Sequence, residues 1–574
     1  MGVPEILSEL FSETGIFPGK NVRVTHAAAN EPRSESAIVV DPANPDRLLG
    51  ASKRFSQPHN YVFSLGAVFS SDGGATWQDL PVFQPPANHD VYTDPSTAFD
   101  TSGAAWVMGD PGYHPDAFPQ YQQTMGCSAV TDIHTTHMLG QKSTDDGAHW
   151  DPHPLLAPRC LEDDKGWLLC DNSLDVTISP YPYPKPQWAS PYHGRLYAIW
   201  GAATNLRFAR SLDGGQSWKG VGGQSAGADC GPYSYAPDIS IGRDGMIHVL
   251  WHSPGSNSIQ YLRSKNGGET FEGDGTTVGG FPHPRDVVTG LTDIHTGITR
   301  RVGSDPSQAW PAFEGATFRV LTIVAACCFG SNGVAVAWAD ARSGHSRIYY
   351  RLSNDGGDTW LGDPSGTPLL PNLAGDNHQF HPQLATTGSG VLGCAMYSYS
   401  KTARPGNQPG VAVLMACSFD EGASWGFEPV TDQPWDPSVN LPWAHGDPAI
   451  GFIGEYFGCD AGKTEFHLLW TDTRDGNQDL YYARVDTEKE KSWLREIVAT
   501  YVSPGVSSDG GGFIIINGHI IRIPPWDPLR PILDVAVAIQ AVSRVGTAQS
   551  IRAREVLYDL MIDIARQAKK QLKE

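Results

Sequence analysis

The sequence predicts an all-β protein, a β-propeller of four-stranded antiparallel sheets. Three observations predict this fold: an eight-residue turn motif recurs six times, strands with alternating apolar residues precede it, and glycine and proline are abundant, at 63 and 44 of 574 residues. Many short strands joined by tight turns need that many turn residues, which a long helical protein would not tolerate. Radial repetition also lets one propeller hold several hundred residues.

The recurring motif follows the pattern Ser-x-Asp-x-Gly-x-Thr-Trp. An Asp side chain in such a turn accepts hydrogen bonds from backbone N–H groups, and Gly permits a positive φ. The terminal aromatic ring then returns to the apolar layer between neighbouring sheets. The third position of the motif is therefore predicted to be structural in all six copies, at Asp72, Asp145, Asp213, Asn266, Asp355 and Asp420.

Each copy of the motif follows a set of three strands, A, B and C, and leads into a fourth strand, D. In one set Val334-Ala335-Val336-Ala337-Trp338 forms strand B and Ile348-Tyr349-Tyr350-Arg351-Leu352 forms strand C. Counting such sets predicts seven blades. Six blades are the alternative, if one set of strands does not form a blade of the ring. The seventh set has only a degenerate motif. Because a sheet edge has to be covered, we expect residues 21–24 or residues 494–502 to close the ring.

The pattern along the chain predicts four segments: an N-terminal arm (1–20), the propeller (21–502), a linker with a β-hairpin (503–530) and a helical tail (531–574). Asn517-Gly518 is a strong hairpin turn signal. The tail has helical apolar periodicity and is locally basic. We expect it to clamp the propeller, to form a homo-oligomer or to bind a protein partner.

Charge and hydropathy restrict the partners. With a formal net charge of −21, the protein should repel phosphate backbones, so nucleic acid is not expected to bind. The sequence has no apolar run of 18 residues, and hence no predicted transmembrane segment. Its N-terminus lacks the features of a signal peptide. We therefore expect a cytoplasmic protein, a non-classically exported one, or a secreted one whose leader has been removed.

The six motifs resemble the Asp boxes of the sialidase (neuraminidase) superfamily, also called BNR-repeat proteins, over residues 20–500. Members that cleave sialic acid hold its carboxylate with three arginines, and they use a Tyr–Glu pair as nucleophile and helper and an Asp as acid/base. A forked Arg matches a carboxylate, and an oxocarbenium-like transition state favours nearby negative charge. At the place of the first arginine this chain has Arg33, and Arg54 ends strand B. The following loop (residues 55–61) contains no Asp, so the acid/base position is predicted to be vacant.

A second internal repeat is Trp-x-Asp-x-Arg, at Trp338 to Arg342 and at Trp470 to Arg474. Asp and Arg two residues apart on a strand face the same side, which predicts either an inter-blade ion pair or a ligand contact. The candidate catalytic residues are the charged groups at the predicted strand ends: Arg33, Arg54, Asp94, Asp340, Arg342, Asp472 and Arg474.

Strand parity predicts the working face of the propeller. The B–C loops and the D–A connections share one face, and the turn motifs share the other. Function is concentrated in long loops, so we expect a polar ligand such as a sugar at the mouth opposite the turn motifs. Candidate ligand-binding residues on this face are the histidines His59, His252, His345, His378, His381 and His445.

No cofactor is predicted, although a divalent cation such as calcium remains open. The candidate metal ligands are Asp132, His134 and His137, in a long insertion of the second blade. The nine cysteines have no zinc-ligand spacing. We expect buried free thiols at Cys327 and Cys328.

Together these features predict a sialidase-like propeller that acts on or binds glycans, as a glycoside hydrolase-like enzyme or a polysaccharide lyase. The alternative is a non-catalytic propeller scaffold for protein–protein assembly that uses its C-terminal helices.

Overall fold

The computed structural model describes residues 14–487, except 27–29, 88, 114–133, 159–162, 173–189, 203–204, 233, 372, 374 and 376. It also describes two strands, Gly512–Ile516 and His519–Ile523, which pair antiparallel where the sequence predicts a hairpin. The chain divides into two units, one of residues 18–485 and one of residues 1–17 and 486–574. The predicted C-terminal helices lie outside the described residues.

The residue 18–485 unit contains seven antiparallel sheets, each a blade, and in six of them strands A to D follow sequence order. Blade 1 contains Arg33–Val40, Leu48–Gln57, Val62–Ser70 and Gln78–Asp79. Blade 2 contains Val91–Phe99, Ala105–Tyr113, Leu139–Ser143 and Asp151–Pro154, with His134–Thr135 paired to its second strand. Blade 3 contains Asp163–Cys170, Leu196–Ala202, Leu206–Ser211 and Ala228–Gly231. Blade 4 contains Tyr235–Ile241, Ile247–Ser253, Ser258–Ser264 and Arg285–Thr289.

The remaining blades repeat the pattern. Blade 5 contains Val324–Phe329, Gly333–Asp340, Arg347–Ser353 and Thr367–Pro368. Blade 6 contains His378–Thr386, Leu392–Arg404, Gln408–Ser418 and Gly426–Pro429. Blade 7 contains Gly458–Ala461, Glu465–Asp472 and Asp479–Asp486, and its outer positions are taken by Phe17–Pro18 and Val22–Arg23.

The A strands of successive blades pack against each other all the way round, including blade 7 against blade 1. They therefore surround one axis, and the prediction of a seven-bladed all-β propeller is confirmed. The connections between blades add two short ladders, Thr277–Val278 with Phe281–Pro282 and Arg301–Val302 with Trp310–Pro311. Helix is confined, in the described part of the chain, to Ile294–Gly297 and three single 3₁₀ turns. None of the described helices is long and apolar enough to cross a membrane.

The N-terminal segment closes the ring, as one of the two sequence-based alternatives expects. Val22 and Arg23 pair with Tyr482 and Tyr481, and Val24 N–H donates to Leu480 O over 2.8 Å. The Val24 side chain is fully buried in the apolar cluster between blades 7 and 1. The other alternative, residues 494–502, lies outside the described residues.

Because Val24 packs between the first and last blades, Val24→Ala should lower the free energy of unfolding by about 1–3 kcal/mol. Val278→Ala is the control, because that side chain is exposed on a short outer ladder. It should change stability by no more than about 0.5 kcal/mol. Urea unfolding of both variants measures the difference, and equal losses would contradict this role of the N-terminal strand.

Six turns between strands C and D share one hydrogen-bond pattern. In blade 5, Thr359 N–H donates to Asp355 Oδ1 over 2.8 Å, and the Thr359 hydroxyl donates to Asp355 Oδ2 over 2.6 Å. Gly357 N–H donates to Ser353 Oγ. The blade 4 copy carries Asn266, whose Oδ1 accepts the N–H of Thr270 in the same way. The described geometry thus gives this position a structural role in the turn.

These hydrogen bonds to the carboxylate depress its pKa. The bond from the Thr359 side chain holds the pKa of Asp355 at about 2, and the bond from His149 does the same for Asp145. A carboxyl whose folded pKa lies below the unfolded value of about 3.8 stabilises the fold above that value. That contribution is lost as the pH falls from about 4 to about 2.

Replacing all five acidic turn residues by Asn should therefore flatten the fall in Tm between pH 4 and pH 2. At pH 7 the same variant should have a lower Tm than the wild type, because the ionised carboxylates are lost, but it should keep the turns, because Asn266 already serves in blade 4. The five Ala substitutions are the control and should lower the Tm at pH 7 by more than the Asn substitutions do, because alanine offers no acceptor to the N–H groups of the turn. Thermal unfolding followed by circular dichroism tests this, and an unchanged acid profile in the Asn variant would refute it.

Candidate functional site

A cavity of about 240 Å³ opens at the mouth of the propeller where the A strands begin. It is lined by starts of A strands, by strand B and the B–C loop of blade 1, and by two D–A connections. This is the face on which the sequence analysis expects the ligand. The lining side chains are Glu35, Lys53, Tyr61, Phe63, Thr93, Asp94, Thr135, Asp164, Lys165, Ala236, Trp310, Arg319, Ile323, His445 and Glu455.

A bulge at the start of strand A recurs in five blades. In each one the pairing between strands A and B shifts register, and a non-glycine residue at the shift has a φ between 43° and 51°. Bulges re-aim side chains and are common next to functional sites. The five residues at these bulges are Glu35, Asp94, Lys165, Ala236 and His381. The first four line the cavity, so the bulge delivers one side chain per blade to the mouth.

Glu35, Lys53 and Asp94 form the buried charged group of the cavity. Lys53 Nζ lies 2.5 Å from Glu35 Oε2 and 3.9 Å from Asp94 Oδ1. Burial, and then Asp94 and Glu455, raise the pKa of Glu35 to about 8 although Lys53 opposes the shift. Burial would also raise the pKa of Asp94, but Lys53 and Lys165 outweigh it and lower that pKa. The two carboxyl groups therefore differ in proton affinity while sharing one ammonium group.

Lys165, on the neighbouring blade, is held by aromatic rings. Its Nζ lies 3.5 Å from the ring centroids of Trp167 and Tyr456. Burial lowers the pKa of Lys165 to about 8, although Asp94 and other carboxylates oppose the shift. The Tyr456 hydroxyl donates to Asp94 Oδ1 over 3.4 Å. Asp94 is thus approached by a hydroxyl and two ammonium groups.

The remaining wall of the cavity comes from the connections between blades 4 and 5 and between blades 6 and 7. Arg319 Nη2 lies 2.8 Å from Glu455 Oε1, and its guanidinium lies over the rings of Trp310 and Phe452. His445 contacts Arg319 and stacks on Trp310 at 5.7 Å between ring centroids. Gly451 N–H donates to Thr317 O over 2.8 Å, which joins the two connections. An arginine and an indole ring therefore face the ligand space together.

The buried Glu35–Lys53 pair is open to a direct stability test. At pH 9, above the pKa of Glu35, Lys53→Met should lower the free energy of unfolding by about 3–5 kcal/mol, because it leaves a buried carboxylate without its counter-ion. Adding Glu35→Met should recover most of that loss, since an apolar pair often replaces a buried ion pair at little cost. Urea unfolding of the two single variants and the double variant measures the coupling. Additive losses would show that the two groups do not interact.

Of the seven sequence-derived catalytic candidates, Asp94 lies at the cavity. Arg33 is buried but does not line it; its Nη2 lies 3.9 Å from Asp79 Oδ1. Arg54 pairs with Glu31. Strand alternation explains the difference: Lys53 faces the cavity, so its chain neighbour Arg54 points to the other side of the sheet.

The other four candidates form two copies of one local structure. In blade 5, Trp338 Nε1–H donates to Asp340 Oδ2 over 3.2 Å, and Arg342 pairs with the same carboxylate. In blade 7, Asp472 accepts from Trp470 over 3.2 Å and lies 2.7 Å from Arg474. The Asp–Arg pair lies within one blade in both copies, and in blade 7 Arg474 also pairs with Asp432 of the connection between blades 6 and 7. The sequence analysis expects an ion pair between blades or a ligand contact at this repeat. These four residues do not line the cavity.

The candidate histidines are distributed over the predicted face, and His445 is the one among them that lines the cavity. His59 stacks on Trp443, at 4.1 Å between ring centroids, and His378 on Phe313, at 4.0 Å. The ring centroids of His345 and His378 lie 5.1 Å apart. His252 and His381 are buried, and burial lowers the pKa of both, that of His381 to about 3.

The predicted metal ligands are only partly described. Asp132 lies outside the described residues. His134 belongs to a short strand, and the His137 ring is buried with Nδ1 2.8 Å from the Thr136 hydroxyl. The seven described cysteines are free thiols, with Cys327 buried and Cys328 partly buried.

Sequence reasoning missed Glu35, Lys53, Lys165 and Arg319 as lining residues. One signal was available, because a residue followed by proline opens strand A in three blades: Asp94-Pro95, Ala236-Pro237 and His381-Pro382. Proline lacks an N–H and within sheets is favoured at bulges. In these three blades the residue before proline is the bulge residue. The equivalent positions in blades 1 and 3 are occupied by Glu35 and Lys165. No comparable repeat marks Arg319, which reaches the cavity from a connection between blades.

No family model matches the chain, and no curated protein matches it. Similar solved structures include a protein of unknown function from Dyadobacter fermentans DSM 18053, with TM-score 0.43 and 12% identity over 82% of this chain and 99% of that chain. The Hadza microbial sialidase Hz136 has TM-score 0.38 and 14% identity over 72% and 68%. The NanB sialidase of Streptococcus pneumoniae has TM-score 0.39 and 12% identity over 69% of each chain.

Proposed function

We propose that this propeller is a glycoside hydrolase-like protein that takes a polar sugar into the axial cavity. The observation that carries the proposal is the convergence of Glu35 and Asp94, from neighbouring blades, on Lys53 within that cavity. Glycosidic bond cleavage uses two carboxyl groups on either side of the bond, one as proton donor and one as nucleophile or base. The recurring Ser-x-Asp-x-Gly turns support placing the chain among Asp-box propellers.

The cavity wall supports a sugar as the ligand. The Trp310 ring offers an apolar surface for a sugar face, and Lys53, Asp164 and Glu455 offer polar contacts for hydroxyl groups. Arg319 is the one arginine among the described lining residues. It favours a substrate with a single anionic group rather than the three-arginine clamp that the sialidase resemblance implies.

Turnover of a fluorogenic panel of neutral, amino, uronic and sialic glycosides by the full chain tests the proposal. At least one glycoside should be cleaved, and Glu35→Gln and Asp94→Asn should each lower kcat by about 100-fold or more. Glu314→Gln is the matched control, because that carboxyl group is exposed and pairs with Lys401 at the surface. Its kcat should equal that of the wild type.

Two results would decide against hydrolysis. Glycan binding without turnover, lost in Arg319→Ala, would instead support a non-catalytic glycan-binding propeller. Neither turnover nor glycan binding would reject the sugar altogether and favour the assembly scaffold that the sequence offers as the alternative.

A further inference from the structure

The carboxylate of Asp110, beside the cavity, has no role in the proposed reaction. Asp110 lies in strand B of blade 2, opposite Thr93 of strand A, and its side chain is fully buried. Neither of its oxygens has a hydrogen-bond partner among the described residues. Burying a carboxylate without a partner is costly, so this group requires a counter-charge or a proton.

Two further carboxylates converge on the same point. Asp94, Asp110 and Asp164 each place an oxygen so that the three oxygens lie within 4.8 Å of one another. They come from strands A and B of blade 2 and strand A of blade 3. Asp94 and Asp164 line the cavity, and Asp164 is exposed to it. The point between the three carboxylates is therefore reached through the mouth.

The nearby ammonium groups have their shortest described contacts with other groups. Lys165 Nζ lies between the Trp167 and Tyr456 rings, and no described hydrogen-bond acceptor contacts it. Lys53 Nζ is closest to Glu35, and its distance to Asp94 is the longer one. Neither lysine is paired with Asp110 among the described ion pairs.

We propose that Asp94, Asp110 and Asp164 bind a divalent cation, of the calcium type, at the axial mouth of the propeller. An all-oxygen, all-carboxylate set suits a hard cation. Calcium binds oxygens at about 2.3–2.6 Å, so two ligands on opposite sides of it lie about 4.8 Å apart. Oxygens within 4.8 Å of one another are close enough to share one calcium ion. In this proposal the remaining coordination positions face the cavity, where water or a sugar hydroxyl completes the coordination. The site shares Asp94 with the proposed carboxyl pair but does not depend on glycoside cleavage.

Isothermal titration of the chelator-treated full chain with CaCl₂ tests this proposal. The wild type should bind one calcium ion per chain, and Asp110→Asn should weaken binding by about tenfold or more. Asp46→Asn, at an exposed turn away from the cavity, is the matched control and should bind as the wild type does.

Thermal unfolding separates a lost site from a damaged fold. Calcium should raise the Tm of the wild type, because a ligand that binds only the folded state stabilises it. Asp110→Asn should be at least as stable as the wild type without calcium, since it removes a buried charge, and its Tm should not respond to calcium. Terbium luminescence excited through Trp167 and Tyr456 should appear in the wild type and be lost in this variant.

Three results would overturn the proposal: no heat of calcium binding by the wild type, equal affinity in Asp110→Asn, or an equal calcium-dependent Tm shift in both. A wild type that ignores calcium but loses stability in Lys165→Met would identify the lysine as the counter-charge instead. All of these readouts are independent of glycoside turnover, so failure here leaves the proposed function standing, and the reverse also holds.

Discussion

The packing of seven A strands around one axis is the constraint on which the rest of this structure depends. Each A strand is covered by its own strand B on one side and by the A strands of neighbouring blades on its faces. A second cavity, of about 350 Å³, follows the axis and is lined by A-strand residues of all seven blades. Any polar side chain placed near the axis is therefore removed from most of its water and has to find a partner within the protein.

The bulge at the start of strand A places polar side chains at the mouth of the propeller, where they form the candidate site. A regular strand would direct alternate side chains into the sheets on either side, where charged groups are costly. A residue with positive φ is present at the bulge in five blades, and in four of them it directs its side chain to the mouth. Because the bulges meet at the axis, residues far apart in the sequence, such as Glu35 and Lys165, line one cavity.

The packing of the A strands around the axis also brings acidic and basic side chains together at the mouth. Four carboxyl groups line the cavity, at Glu35, Asp94, Asp164 and Glu455, with three cationic side chains, at Lys53, Lys165 and Arg319. Arg319 and Lys53 each have a carboxylate partner, and Lys165 is held by aromatic rings. Asp110 adds a further carboxyl group behind the lining. The excess of acid over base is what makes the mouth suited to a cation or a polar ligand.

The local hydrogen bonds of the turns explain why the fold can be predicted from the sequence. Ser, Asp and Gly at fixed offsets build a turn from contacts within eight residues, so the motif reveals its structure without reference to the rest of the chain. The Trp-x-Asp-x-Arg repeat is local in the same way, because in both copies the Arg pairs with the Asp two residues before it.

The sequence by itself determined the acid-capped turns and the face that carries the cavity, because each depends on short-range patterns or on strand parity. It left seven or six blades and two candidate closing strands, and the structure has seven blades with residues 22–23 paired to the last one. Only the tertiary structure decided which charged residues meet. The sequence analysis selects Arg33 and not Lys53, yet strand alternation and the blade 1 bulge send Lys53 to the mouth and Arg33 away from it. Arg319 reaches the cavity through a connection whose path depends on contacts with another connection more than 100 residues away in sequence. The apolar periodicity of the sequence does not predict such contacts, because they form only when the ring closes.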